Sequence, residues 1–244
     1  MLGGLYTAAA GMEAQQQRLD AVSNDLANVS TTGYKSLRVG FRDLLYQAPG
    51  RGGGAGTQTG SGAAATVLGR NQEQGALIPT ERSLDVALTG PGFIQVKAAD
   101  GGIALTRDGS LGVGPDGRLR TSTGQPLQPP IQLPAGTDPS EVQIDSDGSV
   151  RVGRRQVGRI AVVNVTNPDG LQAEGDSLFR PTAASGPVSG ARGTGLEQGA
   201  LESSNVDMAD ATVEMMNAQR GFELASKAIQ MQDEVLAVAN GVKR

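Results

Sequence analysis

Three stretches of the sequence have residue types and spacings that could do chemistry. Gly112-Val113-Gly114-Pro115-Asp116-Gly117 reads G-x-G-x-x-G, the pattern that lets a backbone approach a dinucleotide pyrophosphate. That use needs a strand before the glycines and a helix after them, and Pro-Asp-Gly makes a turn instead. Asp145-Ser146-Asp147-Gly148 begins like a calcium loop, but the third acidic ligand and the closing Glu are missing, so turn chemistry accounts for it. The glycines after Pro49 lack the Gly-Lys-Ser/Thr of a phosphate loop. His and Cys are absent, which removes disulfides, thiolate chemistry, thiolate or imidazole metal ligation and every histidine-based triad. The carboxylates are scattered through turns and helix faces without forming an acid/base couple. The residues therefore point to no catalytic site, no metal and no cofactor, and not to an enzyme.

What remains is architecture. Stepping by seven from Leu5 meets Met12, Leu19 and Leu26, while Ala8, Gln15, Val22 and Val29 sit three residues after each. Near the other end, Met208, Met215, Phe222, Ile229 and Leu236 recur at seven beside Ala211, Ala218, Ala225, Gln232 and Ala239. Sustained heptads of this kind make long helices that need a partner along their length. The first helix is expected to span about residues 3–28 and to stop in Ser30-Thr31-Thr32-Gly33. For the second, Ser204 with Asp207 three residues on fits a capping box. At roughly 36 residues and ~1.5 Å per residue it would run ~54 Å. Both helices are acidic, so an apolar rather than ionic contact between them is expected.

Residues 34–48 carry Lys35, Arg38 and Arg42 against one acid and fit a short helix or an extended arm. A Gly-rich run follows, from Pro49 to about Thr66, read either as a flexible linker or as a segment that orders only against neighbouring subunits. From Leu77 to Leu201 the pattern changes to short alternating strands, as in Leu84/Val86/Leu88 and Ile94/Val96, punctuated by Asp-Gly turns. The expected fold is α+β: long N- and C-terminal helices forming an antiparallel coiled coil, with an inserted all-β domain of short antiparallel strands. The expected segments are 1–33 (helix), 34–76 (basic arm and Gly-rich stretch), 77–201 (β domain) and 202–244 (helix).

A net charge of −4 gives no electrostatic footprint for nucleic acid, and no apolar run is long enough to span a membrane. The N-terminus has neither the basic nor the continuous apolar region of a usual cleaved signal peptide, so a protein leaving the cytoplasm with it needs another route.

Four blocks in order carry a resemblance over nearly the whole chain. Leu26-Ala27-Asn28-Val29-Ser30-Thr31-Thr32-Gly33-Tyr34-Lys35 resembles the run that closes the first helix of the bacterial flagellar rod and hook proteins. The stretch Leu84 to Val96 resembles that family's strand pair, and Thr106-Arg107-Asp108-Gly109-Ser110-Leu111 its TRDGSF turn. Glu202-Ser203-Ser204-Asn205-Val206-Asp207, followed by Gln219-Arg220-Gly221-Phe222-Glu223, resembles its C-terminal helix. Within the family, the stretch Phe41 to Gln47 with the insertion after it looks most like the distal rod members, with the proximal rod members as the alternative. Gly221 stands where Ala is usual; an interior helical glycine costs about 1 kcal/mol, which suggests a neighbouring helix in close approach.

The resemblance implies a structural subunit that polymerises into a hollow helical driveshaft, transmitting motor torque to the hook and letting exported subunits pass. Its implied partners are copies of itself, the proximal rod and hook proteins, the flagellar type III export apparatus, and bushing rings around the rod where present. Its implied place is the periplasmic rod of the basal body, reached without signal cleavage, with monomer termini that fold on assembly. Helix-seam residues Leu5, Met12, Leu19, Val22, Leu26, Met208, Met215, Phe222, Ile229 and Leu236 are expected to carry assembly. Asn28, Thr31, Gly33, Tyr34, Lys35, Ser204, Asn205, Val206, Gln219 and Arg220 are the matching motif positions. Arg38, Arg42 and Arg51, together with Lys35, would form a basic arm lying against acidic surfaces of adjacent copies. A secreted binding module on a helical stalk is the competing class; it would stay monomeric or close into a trimer.

Overall fold

The structure, a computed structural model, describes residues 2–44, 60, 62–191 and 193–241. The chain divides into two compact units: Met1–Ala27, Leu37–Leu68 and Asp207–Arg244 form the first, Asn28–Ser36 and Gly69–Val206 the second. The fold is α+β, as the periodicities predict, but its segments interleave: residues 28–36 and 69–76, placed by the sequence with the helix and the arm, belong to the β-rich unit.

The first unit holds helix α1 (Leu2–Ala27), strands β1 (Leu37–Asp43) and β2 (Ala63–Arg70, its last two residues in the second unit) and helix α2 (Met208–Gly241). Asp207 starts α2: its Oδ1 accepts the N–H groups of Ala209 (2.7 Å) and Asp210 (3.2 Å), and its carbonyl takes that of Ala211. The cap is therefore Asp207 rather than Ser204, because an N-cap must immediately precede the first helical residue. Ser204 instead accepts the N–H of Val206.

The helices pack antiparallel, with Gly4 against Gln232, Gln15 against Gly221, and Arg18 paired to Glu214 at 2.7 Å. The expectation of a purely apolar contact is thus corrected by an ion pair near one end. Of the two heptad rows expected at the seam, the small one lies deeper than the large one. Ala211 and Ala218 are buried on α2, and Ala14, Ala21 and Val22 on α1. Met208 is 57% exposed and Phe222 37%, while Leu5, Met12, Leu19, Leu26, Met215, Ile229 and Leu236 are half-buried. Small side chains let two backbones approach, so the alanine row faces α1 and the large row is pushed to the flank. Gly221 belongs to that logic, since a Cβ there would lie 2.9 Å from the Gln15 side chain.

Strands β1 and β2 pair into a two-stranded ribbon, which decides between the helix and extended readings of the arm. The Asp25 carboxylate accepts the Leu37 N–H at 3.1 and 3.2 Å, and the Arg18 guanidinium covers the Phe41 ring at 5.6 Å.

The second unit contains β3 (Leu77–Pro79), β4 (Val86–Thr89), β5 (Phe93–Lys97), β6 (Ile103–Thr106), β7 (Leu111–Val113), β8 (Leu119–Thr121), β9 (Val142–Ile144), β10 (Ser149–Val152) and β11 (Arg155–Arg159). It continues with β12 (Val162–Val165), β13 (Gln172–Gly175), β14 (Leu178–Arg180), β15 (Val188–Gly190), β16 (Gly195–Gln198) and β17 (Ala200–Glu202). A six-stranded sheet in the order β13-β14-β6-β5-β12-β15 is its centre, and β9 to β11 form a three-stranded sheet. The sheet is covered on both faces, as strand alternation shows. Ile94, Val96 and Ala104 enter a large core with Leu88, Leu111 and Leu119, whereas Phe93, Leu105 and Phe179 cluster on the other side.

Candidate assembly site

The Gly-x-Gly-x-x-Gly stretch folds as strand, turn and strand. Gly112 and Val113 lie in β7, and Gly117 donates to the Gly114 carbonyl at 2.9 Å before β8 begins. Asp147 likewise serves a turn, accepting the Ser149 N–H and hydroxyl. Among the described residues, no group of three or more carboxylates is placed to hold a metal ion, and no helix is long and apolar enough to cross a membrane.

The matched motif residues converge instead on a buried ion network in the second unit. Lys35 and Glu202 are both fully buried and meet at 2.6 Å. The other Glu202 oxygen accepts Arg107 Nε at 2.9 Å, and Glu202 Oε1 also takes the Gly75 N–H at 3.0 Å. Lys35 further donates to the Glu73 carbonyl, and Arg107 to the carbonyls of Gly92 (3.1 Å) and Gly90 (3.0 Å). Every charge here has partners, as burial of charge demands. Burial pulls the Lys35 ammonium below its ordinary value, against the opposing bond and charge of Glu202. Lys35 is therefore not part of a solvent-facing basic arm, which corrects that expectation.

The neighbouring motif positions close the same junction. Gly33 has φ +66° and donates to the Glu202 carbonyl at 2.9 Å; a Cβ there would sit 2.6 Å from the Arg107 carbonyl carbon. Only glycine fits both demands. Asn28 accepts from Thr31 through its carbonyl (3.0 Å) and its side chain (3.2 Å). Tyr34 is buried beneath the Arg70 guanidinium, 5.4 Å from its ring centre. Asn205 joins two strands of chain: its Oδ1 accepts the Ser36 N–H at 2.8 Å, and its Nδ2 donates to Asn71 and Glu73 carbonyls. Val206 beside it is half-buried, whereas Gln219 and Arg220 are exposed on α2. Sequence reasoning left Arg107, Asp108 and Glu202 out of the candidate set. Asp108 accepts from Thr32 and Ser122 hydroxyls, both at 2.8 Å. The available signal was charge inside motif blocks flanked by apolar strands.

The first unit presents the other candidate surface. Val213, Met216, Leu224, Met231, Val235 and Val238 of α2 are all exposed. With the alanine row turned to α1, the helix carries apolar side chains around most of its circumference, a pattern that belongs to a helix buried on several sides. On the ribbon, Phe41, Val67 and Leu68 are exposed, as are Arg38 and Arg42. Arg51 and most of the Gly-rich stretch lie outside the described residues.

Comparison with known proteins places three family matches along the chain. The family described as "Flagella basal body rod protein" matches residues 5–35, "Flagellar hook protein FlgE/F/G D1 domain" residues 87–152, and "Flagellar basal body rod FlgEFG protein C-terminal" residues 197–242. The chain is 39% identical to the flagellar basal-body rod protein FlgG of Borreliella burgdorferi and 36% identical to that of Bacillus subtilis, each over 100% of both chains. It is 31% identical, again over 100% of both, to the flagellar hook-basal body complex protein FlhP of Bacillus subtilis.

Proposed function

We propose, from the premise that this chain belongs to the family of flagellar basal-body rod proteins, that it is a distal rod subunit. In this reading it polymerises into a hollow driveshaft that carries torque to the hook and leaves a channel for exported subunits. The observation that carries the reading is the exposed apolar face of α2, Val213 to Val238, in a helix whose opposite face is already paired. Contacts that are heterologous and non-closing turn such a face into an open helical assembly. The role is structural, without catalysis or cofactor. Its partners are further copies, the proximal rod and hook proteins at the two ends, the type III export apparatus and the surrounding bushing rings, with no nucleic acid and no membrane insertion. Its place is the periplasmic part of the basal body.

The terminal heptads extend, in this proposal, into coiled-coil packing between copies, with Phe222 and Met208 covered there. Arg38, Arg42 and Arg51 of the arm lie against acidic neighbours and stiffen the rod; removing residues 50–66 without any change in rod length or bending stiffness would sink that part. The assembly itself is tested by electron microscopy and sedimentation of the concentrated full chain. Open polymers are expected, and their loss in a Leu224→Asp, Met231→Asp variant. A wild-type chain that stays monomeric, or closes into a trimer, contradicts the reading and favours a stalked binding module.

A further inference from the structure

In the second unit, the β7–β8 hairpin and the residues before β4 border an open cleft of about 310 Å3. Two cations line it, Arg82 and Arg120, together with the hydroxyls of Ser110, Thr121 and Ser122 and the bare backbone at Gly112, Gly114 and Gly124; no carboxylate does. Thr121 and Ser122 have committed their hydroxyl protons, to Gln125 and Asp108.

The two guanidinium groups that line the cleft keep unused donors. Arg82 is 63% exposed and its Nη1 stands 3.6 Å from Asp85 Oδ1, too far for a hydrogen bond. Both Asp85 oxygens are buried without a hydrogen-bond partner, so that pair is incomplete from either side. Arg120 reaches Asp116 through Nη2 at 2.8 Å, and its Nη1 makes only a 3.4 Å contact with the Gly124 carbonyl. Its Nε is buried without an acceptor, held over Gly114, where a Cβ would lie 2.4 Å away. Asp116 is also shared with Arg118 at 3.7 Å. Asp85, Asp116 and Asp108, the last bonded to the Ser122 hydroxyl and the Ser110 N–H, match Arg82, Arg118 and Arg120 in number. What the cleft offers is therefore guanidinium N–H groups without acceptors rather than an excess of charge. Guanidinium is the side chain best suited to grip a planar carboxylate.

We propose that this cleft binds a carboxylate, and that its occupant is an acidic side chain of a second copy of the chain. The inference rests on the self-assembly reading above and adds a specific contact to it. Charge complementarity selects the occupant: Glu141, Asp176 and Glu197, on the same unit, are exposed and have no ion pair or side-chain hydrogen bond among the described residues. The cleft is open along one side, so a protruding side chain can enter without displacing its walls.

The test is the critical concentration for polymerisation of the full chain, in the wild type, Arg82→Gln and Arg82→Lys. The Arg82 side chain makes no hydrogen bond among the described residues but is the ion-pair partner of the buried Asp85. Urea unfolding of each variant is therefore measured beside its assembly, and a rise in critical concentration that merely follows lost stability overturns the cleft. At low salt, Arg82→Gln should raise the critical concentration about fivefold, the equivalent of about 1 kcal/mol, with Arg82→Lys intermediate. Near 1 M salt, where the screening length falls to about 3 Å, the difference should vanish. Replacing chloride by N-acetylglutamate at fixed ionic strength should weaken wild-type assembly but not that of Arg82→Gln. Equal critical concentrations at both salts overturn the cleft while leaving self-assembly standing; a wild type that never polymerises overturns both. N-acetylglutamate that shifts the Arg82 side-chain resonance without affecting assembly shows a free-carboxylate site and overturns the second-copy occupant.

Discussion

Lys35, Arg107 and Glu202 are sealed inside the second unit near Phe93 and Leu105, whereas Leu224, Val235 and Val238 of the first unit face outward. The second unit buries this charged cluster, and the first leaves a row of large apolar side chains on α2 exposed among the described residues. A residue cluster with every polar group paired is self-sufficient. An apolar helix face with nothing on it has an unmet requirement, which a second copy fills in the proposal above. In that proposal stability rests on the second unit's buried cluster and most of the assembly on the first unit's helix face, with the Arg82 cleft of the second unit as a lesser contact.

The largest expected effect would break the self-sufficient side. Glu202→Ala leaves Lys35 and Arg107 buried with no counter-charge, and loss of one partner from such a network costs about 3–5 kcal/mol. Urea unfolding followed through methyl resonances of the second unit should show it; a loss below about 1 kcal/mol would mean that water reaches the network. Phe222→Ala probes the other side. It should leave the second unit's unfolding unchanged and raise the critical concentration for assembly roughly tenfold, the size of a modest interface hot spot. Unfolding and assembly changing together would erase the separation.

A subtler effect comes from pH. The folded Lys35 pKa lies below the ordinary value of 10.5 because of burial. Between the depressed value and 10.5, the unfolded chain holds a proton that the folded unit has released, so this group makes the second unit more stable as pH rises across that window. Below the window its contribution is flat. Comparing wild type with Lys35→Met by urea midpoint from about pH 8 upward should show a positive slope in the wild type relative to the variant. A negative relative slope would mean that Glu202 outweighs burial.

Much of this contrast was legible in the sequence, for reasons that also explain the gaps. Seven-residue spacing is local, so Leu5 to Leu26 and Met208 to Leu236 announce two long helices without any structure. Spacing does not say which row faces which partner. Ala211 and Ala218 alternate with Met215 and Phe222, both rows are apolar, and backbone proximity chose the alanines. Short-range alternation exposed the strands in the same way, while the ribbon β1–β2 stayed ambiguous because Leu37, Phe41 and Leu44 suit either period. The ion network was the least visible feature. Lys35 and Glu202 are 167 residues apart and Arg107 is 95 from Glu202, so no pattern within a window connects them. Lys35 looked like one more cation of a basic arm, and only the fold shows that its charge is spent internally.

Amide hydrogen exchange of the full-length chain, measured before and after polymerisation, tests the separation most directly. The account predicts that β5, β6 and β14 are protected in both states, and that amides of α2 from Val213 to Val238 gain protection by at least about tenfold on assembly. Equal protection of α2 in the two states, or slow exchange throughout α2 before any polymer forms, would contradict it.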